Sequence, residues 1–345
     1  MNIQKLIRPN ILKLKPYASA RDEFKDFKKS MTFLDANENP FETGLNRYPD
    51  PQQLALKLQL SSIKGCNLNQ LLLGNGSDEV LDLIFRTFCE PGKDNVILLP
   101  PTYGMYEVLA DLNNIEAIKI PLTSDFQPNV TDILEAVNSH SKILFLCSPN
   151  NPTANSFEAK SVEELLQKFK GIVVIDEAYI DFSESESWRS RLAEFPNLIV
   201  IQTLSKAYGL AGIRLGMGMA SPEIIQVLNS IKPPYNVNQL TQQKALNKLE
   251  NLEVITNQIQ LIKNERIRVL SAFKKMNFIT KCFPSDANFI LVQVDDANRR
   301  YQQLIEKEIV VRNRSKEPLC DNCLRFTIGT PDENTKLITV LNFLK

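Results

Sequence analysis

Histidine is almost missing from this chain: one residue in 345, His140, inside the polar linker NSHSK. Ser-His-Asp and Cys-His hydrolases and multi-histidine metal centres all rest on imidazole as base or ligand. With no partner group around His140, those chemistries have nothing to work with, and it reads as a surface residue. Cysteine is sparse as well. Cys66, Cys89, Cys147 and Cys282 are scattered, and only Cys320 and Cys323 form a C-x-x-C, with no second pair and no nearby histidine to complete tetrahedral zinc. No metal is expected, and the thiols read as ordinary reduced cysteines.

A dominant charge is also lacking. Forty Lys and Arg balance forty Asp and Glu, so no whole-molecule field gathers nucleic acid or an anionic membrane, and the expected partner is a small molecule. No stretch approaches the roughly 18 apolar residues of a membrane span, and the opening MNIQKLIRPNILKLK has no continuous apolar core or small-residue cleavage site. A cytoplasmic protein is expected. There is no internal repeat and no low-complexity tract.

What the chain has is an alternation of periods. SDEVLDLIFRTF repeats apolar positions at 81, 84, 85 and 88, DNVILLP is a short apolar run, VTDILEAV aligns 130, 133, 134 and 137, and KILFLCSPN is another run. SVEELLQKFK follows, with Ser161 and Glu164 spaced as a capping box, and then GIVVIDEAY, LIVIQTLSK and LGMGMAS. Strands alternating with helices imply a mostly parallel sheet covered on both faces. After PPYNVN the character changes to one long helical stretch from residue 239 to 276, then NFILVQV and CLRFTIGT, which reads as a connecting helix into a smaller α+β domain.

In an open α/β sheet the ligand lies beyond the carboxyl ends of the strands. Polar clusters stand at those ends: GNGSDE opening a helix, PPTYGMY after DNVILLP, SPNNPT after KILFLC, DEAY after GIVVI and LSK after LIVIQ. GNGSDE offers backbone N–H groups at a helix start, which suits a phosphate, but it lacks the nucleotide-loop lysine. LGMGMAS completes no dinucleotide fingerprint. Asp176, ending an apolar run, is costly there unless paired with a cation or strong donor. Together with Lys206, Ser205 and Arg214 it makes the set that pyridoxal phosphate needs: an amine for a Schiff base, a carboxylate for the pyridine nitrogen and a cradle for the phosphate.

The ordered motifs LKPYASAR, FLDANENP, NRYPDP, GNGSDE, PPTYGMY, CSPNNPT, VVIDEAYIDF, TLSKAYGLAGIRLG and CLRFTIGT resemble the fold-type I pyridoxal-phosphate aminotransferases, and among them the histidinol-phosphate aminotransferases, over nearly the whole chain. The resemblance implies a three-layer α/β large domain with a mostly parallel, mixed seven-stranded sheet over residues 31–238. It implies a smaller α+β domain built from an N-terminal segment, 1–30, and the C-terminal third, 239–345. Lys206 is then the lysine bonded to the cofactor and the proton shuttle, and Asp176 the partner of the pyridine nitrogen. Asn151 and Tyr179 donate to the 3′-oxygen, and Tyr103 stacks on the ring. Ser205, Arg214 and the backbone at Ser77 and Asp78 hold the phosphate, with Tyr48 reaching in from a second subunit of a homodimer. Tyr17, Asn37 and Glu38 close over the substrate, and Arg325 and Arg312 meet its acidic group. The implied reaction moves an amino group between histidinol phosphate and 2-oxoglutarate, giving imidazole-acetol phosphate and glutamate. A threonine-phosphate decarboxylase, an aromatic aminotransferase and, more remotely, a regulatory sensor domain share the same pattern. One departure stands out: Ala154 occupies the place of the family's N-P-T-G glycine.

Overall fold

A computed structural model describes residues 2–15 and 32–344. Seven strands form the central sheet: β1 Leu71–Asn75, β2 Asn95–Leu98, β3 Glu116–Lys119, β4 Ser141–Cys147, β5 Ile172–Asp176, β6 Leu198–Thr203 and β7 Leu215–Ala220, in the order β1-β7-β6-β5-β4-β2-β3. β7 runs antiparallel to both of its neighbours and the other pairings are parallel. The sheet is mixed and mostly parallel, as expected.

The apolar runs are continuous because both faces of the sheet are covered. In β5, Val173 and Ile175 enter one core while Ile172 and Val174 enter the other, and β6 splits in the same way, Leu198 and Val200 against Ile199 and Ile201. Side-chain alternation thus feeds two helical layers from single strands. The helix Gly76–Phe88 buries all four positions that the period marks, 81, 84, 85 and 88. It follows β1 without a linker and lies so close to β7 that a Cβ on Gly216 would stand 2.2 Å from the Ser77 nitrogen. Glycine at 216 is what lets the helix start approach the sheet.

Four antiparallel strands form a second sheet, β8 Ile279–Cys282, β9 Phe289–Val294, β10 Arg312–Asn313 and β11 Cys323–Thr327, ordered β10-β11-β9-β8. Its own core joins Val269 and Phe273 of the preceding helix to Ile290, Val292, Leu324, Phe326 and Leu337. The described part of the N-terminal segment packs elsewhere than the sequence suggested. Ile3 and Ile7 are buried in the large sheet's core beside Phe85 and Phe88, and Arg8 bonds Glu90 at 3.2 Å.

Two local expectations fail for identifiable reasons. The stretch from 239 is two helices, Gln239–Leu249 and Leu252–Phe273, because the Asn251 side chain accepts a bond from the Val254 nitrogen at 3.3 Å and starts a new helix. The helix Ala159–Lys168 begins ahead of Ser161, so that serine sits inside it and no capping box forms. β3 was missed because it is an edge strand with Glu116 and Lys119 exposed and shows no apolar pattern.

Ala154 has φ +69° and is fully buried in the core. Its nitrogen donates to the Asn150 carbonyl, and its carbonyl accepts from the Asp286 nitrogen, both at 2.7 Å. The left-handed backbone costs alanine roughly 1 kcal/mol. Against that, alanine restricts the unfolded chain by about 0.4–1 kcal/mol relative to glycine, and its methyl group removes apolar surface worth about 0.8 kcal/mol. These contributions nearly cancel, which explains how the chain carries alanine here. Ala154→Gly is expected to change the unfolding free energy in denaturant titration by less than about 1 kcal/mol, and a stabilisation beyond about 1 kcal/mol would show that the left-handed strain outweighs both compensating contributions.

Candidate active site

The carboxyl ends of β4, β5 and β6 and the start of helix Gly76–Phe88 converge on one pocket enclosing about 520 Å³, part of it open to solvent. Nine residues singled out from the sequence line it: Ser77, Asp78, Tyr103, Asn151, Asp176, Tyr179, Ser205, Lys206 and Arg214. Cys147, Ala178 and Thr203 line it as well.

Asp176 ends β5 and is 3% exposed. Its Oδ2 accepts from the Tyr106 hydroxyl at 2.8 Å and its Oδ1 from the Ala178 nitrogen at 3.0 Å. No ion pair reaches it among the described residues. Burial pushes its carboxyl up to about 6, against the pull of those two hydrogen bonds. Tyr106 is held in turn by stacking on Phe145, with centroids 4.8 Å apart. The next residue faces the other way: buried Glu177 accepts from Gln202 Nε2 at 2.8 Å, the Trp188 nitrogen at 2.6 Å and the Ser187 hydroxyl. Glu177 is satisfied and structural, whereas Asp176 presents a carboxylate to a pocket.

Lys206 is solvent-accessible through the pocket mouth, its ammonium 5.6 Å from the Tyr179 ring centroid. Surrounding protein lowers its pKa first and the Arg325 charge second, with Asp176 opposing. A neutral amine is therefore available at lower pH than on an ordinary lysine. Tyr179 is buried, 5.0 Å from the Phe289 ring and edge-on to it. Asn151 Oδ1 accepts from Arg325 Nη1, which leaves the Asn151 Nδ2 donor for the pocket. Tyr103 lies edge-on to Tyr106 at 5.5 Å, and its hydroxyl donates to Asp78 at 3.2 Å.

At the other end of the pocket Arg214 adopts φ +54°, and its carbonyl accepts from the Gly76 nitrogen at 2.8 Å. A Cβ at Gly76, itself at φ +73°, would come 2.7 Å from Arg214 Nη2. Glycine here lets the guanidinium lie over the helix start, beside Ser77. The Ser205 nitrogen donates to Thr203 Oγ1 at 3.1 Å, which fixes the turn between β6 and Lys206. A helix N-terminus, an arginine and a hydroxyl together form an anion cradle.

The remaining sequence candidates lie apart. Asn37, Glu38 and Tyr48 line a different surface pocket with Leu45 and Leu240. There Glu38 pairs with Arg47 at 2.8 Å and accepts from the Tyr48 nitrogen at 2.7 Å, while Tyr48 stacks on Tyr235 at 4.5 Å. Tyr17 falls outside the described residues. Arg325 reaches the Lys206 pocket through Asn151, and Arg312 is its directly opposed partner on β10, exposed to solvent. Sequence reasoning missed Tyr106, although PTYGMY spaces it three residues from Tyr103.

The donor set fits pyridoxal phosphate on the structure's own terms: an acidic group buried without a cation opposes an anion cradle, with a lysine and an aromatic ring between. The same geometry sets a stability cost. A carboxyl raised from 3.8 to about 6 favours the fold below pH 3.8, and that contribution is lost as pH rises through 6, about 3 kcal/mol in all. Cofactor-free Asp176→Asn protein is therefore expected to melt above the wild type at neutral pH, the difference vanishing as pH falls toward 4. A variant that melts lower at every pH would contradict this balance.

The aminotransferase class I and II family model matches residues 23–341. The histidinol-phosphate aminotransferase of Christiangramia forsetii is 62% identical over 344 residues, covering 100% of this chain and 98% of that protein. The one from Flavobacterium johnsoniae is 61% identical, covering 99% of each. Among solved structures, the Clostridium acetobutylicum histidinol-phosphate aminotransferase superposes with a TM-score of 0.79 at 25% identity, over 87% of this chain and 90% of that one. The Sinorhizobium meliloti enzyme, solved in complex with pyridoxal-5′-phosphate, gives 0.78 at 23% identity over 87% and 84%. With the family model matched over most of its length and relatives more than 60% identical from end to end, this chain belongs to the class I and II aminotransferases and, within them, to the histidinol-phosphate aminotransferases.

Proposed function

We propose that the protein transfers an amino group between L-histidinol phosphate and 2-oxoglutarate, giving imidazole-acetol phosphate and glutamate, a step of histidine biosynthesis. The observation that carries this reading is the convergence of Lys206, Asp176 and the anion cradle in a chain 62% identical, end to end, to a histidinol-phosphate aminotransferase.

When bound, pyridoxal phosphate supplies the electron sink and carries the amino group from one half-reaction to the other. Ser205, Arg214 and the backbone N–H groups of Ser77 and Asp78 would hold its phosphate. Asp176, oriented by Tyr106, would keep a proton on the pyridine nitrogen, because a buried carboxylate without a cation gains most from an adjacent pyridinium. Asn151 Nδ2 and the Tyr179 hydroxyl would donate to the 3′-oxygen, and the Tyr103 ring would cover one face. Lys206, whose amine loses its proton at lower pH than that of an ordinary lysine, would take up and return the proton at the substrate's Cα. Arg325, with Arg312 behind it, faces the substrate's acidic group.

Tyr48, remote from the pocket within one chain, fits the contribution of a second copy to a composite site. The exposed Leu45 and Leu240, which line the same surface pocket as Tyr48, supply apolar surface for a homodimer. No helix among the described residues is long and apolar enough to cross a membrane, which accords with a cytoplasmic place for the enzyme. We also place the domain boundary near residue 238, ahead of the helix Gln239–Leu249.

The test is a glutamate-dependent assay on imidazole-acetol phosphate, run beside threonine phosphate and phenylalanine. Turnover of the imidazole phosphate by wild type is expected to exceed both. Borohydride should fix the cofactor to wild type but not to Lys206→Ala, whose turnover should fall by several orders of magnitude. Release of carbon dioxide from threonine phosphate without an oxoacid would contradict the reading.

A further inference from the structure

The chain's one C-x-x-C, Cys320 and Cys323, is folded into a closed turn at the start of β11. The Cys320 nitrogen donates to the Glu317 carbonyl at 3.1 Å, and the Cys323 nitrogen donates to the Cys320 carbonyl at 2.9 Å. Leu319 at φ +60° and Asn322 at φ +54° supply the left-handed backbone that these tight turns use. Asn322 pins the turn from outside: its Oδ1 accepts from the Ala297 nitrogen at 3.2 Å and its carbonyl from the Val294 nitrogen at 2.9 Å. A turn closed from the fourth residue to the first keeps its end Cα atoms within roughly 7 Å, the span that a disulfide bridges. The two thiols are hydrogen-bonded to one another.

That bond makes the thiols unequal. It pulls Cys323 below the ordinary thiol value, against burial, and raises Cys320 in turn. Burial pushes the other four cysteines up. Cys323 is thus the one sulfur in the chain whose surroundings favour the reactive thiolate. Both thiols are buried, but one turn covers them: Asp321 and Asn322 between them are exposed, and so is Leu319. Such a cover suits a small neutral oxidant better than a bulky charged one.

We propose that Cys323 and Cys320 are a peroxide-reactive dithiol, Cys323 attacking and Cys320 resolving, which closes reversibly to a disulfide at the head of β11. The Cys323 thiolate attacks one peroxide oxygen. An S–O bond forms, the O–O bond breaks, and the leaving hydroxide takes up the proton that Cys323 gave to solvent. The Cys320 sulfur then attacks Cys323: the S–S bond forms, the S–O bond breaks, and the hydroxyl leaves as water with the Cys320 proton. The dithiol loses two electrons, the peroxide is reduced to two waters, and a thiol reductant reverses the change. The cross-link falls two residues before Arg325, whose Nη1 bonds Asn151 of the Lys206 pocket.

The test treats the folded holoenzyme with hydrogen peroxide, alkylates it in denaturant and maps its peptides by mass spectrometry. A link between Cys320 and Cys323 is expected to form about 10-fold or more faster than any of the other four thiols is lost, and dithiothreitol should remove it. In Cys320→Ser the sulfenic acid on Cys323 should persist and be captured by dimedone, whereas in Cys323→Ser Cys320 should stay unlabelled. Loss of all six thiols at similar rates, or oxidation of Cys323 past the sulfenic acid in wild type without a link to Cys320, would overturn the proposal. The wild-type peptide map decides the matter even where a variant does not fold.

Discussion

A carboxylate buried at the end of a strand, bonded to a phenol and a backbone N–H but to no cation, is the constraint around which this site is arranged. Asp176 is the last residue of β5, and the apolar runs of β4, β5 and β6 place it beyond the reach of bulk water. Such a group is unfavourable in the empty protein and favourable only when a cation arrives. Its geometry is set by Tyr106, which is itself fixed by Phe145, so the orientation of the carboxylate is a property of the core. The protein carries stored instability where Asp176 lines the pocket.

The opposite end of the pocket follows from close approach. Gly216 admits the helix start to the sheet, Gly76 admits the Arg214 side chain, and Arg214 in turn adopts a left-handed backbone. Two glycines and one strained arginine thereby aim backbone N–H groups and a guanidinium at the same point. Lys206 lies between the two ends, its charge disfavoured by burial and by Arg325. The smaller sheet contributes Arg325 through Asn151 and is tied to the large domain by the Ala154–Asp286 backbone bond.

The sheet was legible because its strands are buried on both faces and so read as unbroken runs such as IVVID and LIVIQT, each ending in a polar residue that marks the pocket. Lys206 and Asp176 could be found from position alone. What escaped has physical causes. Edge strand β3 carries no apolar signature, and two-residue β10 is too short to leave one. Asn251 looks like any polar helix residue until its side chain caps the next turn. PTYGMY does not reveal which tyrosine lines the pocket and which supports Asp176. The N-terminal residues pack on the large sheet through Ile3 and Ile7, a long-range contact that local pattern does not encode.

The central claim is that Asp176 holds a proton on the cofactor's pyridine nitrogen. Nitrogen-15 NMR of the protein loaded with labelled pyridoxal phosphate measures that protonation directly. The account requires a pyridinium shift in wild type at mildly alkaline pH and an unprotonated shift in Asp176→Asn. An unprotonated nitrogen in the wild-type enzyme would contradict it.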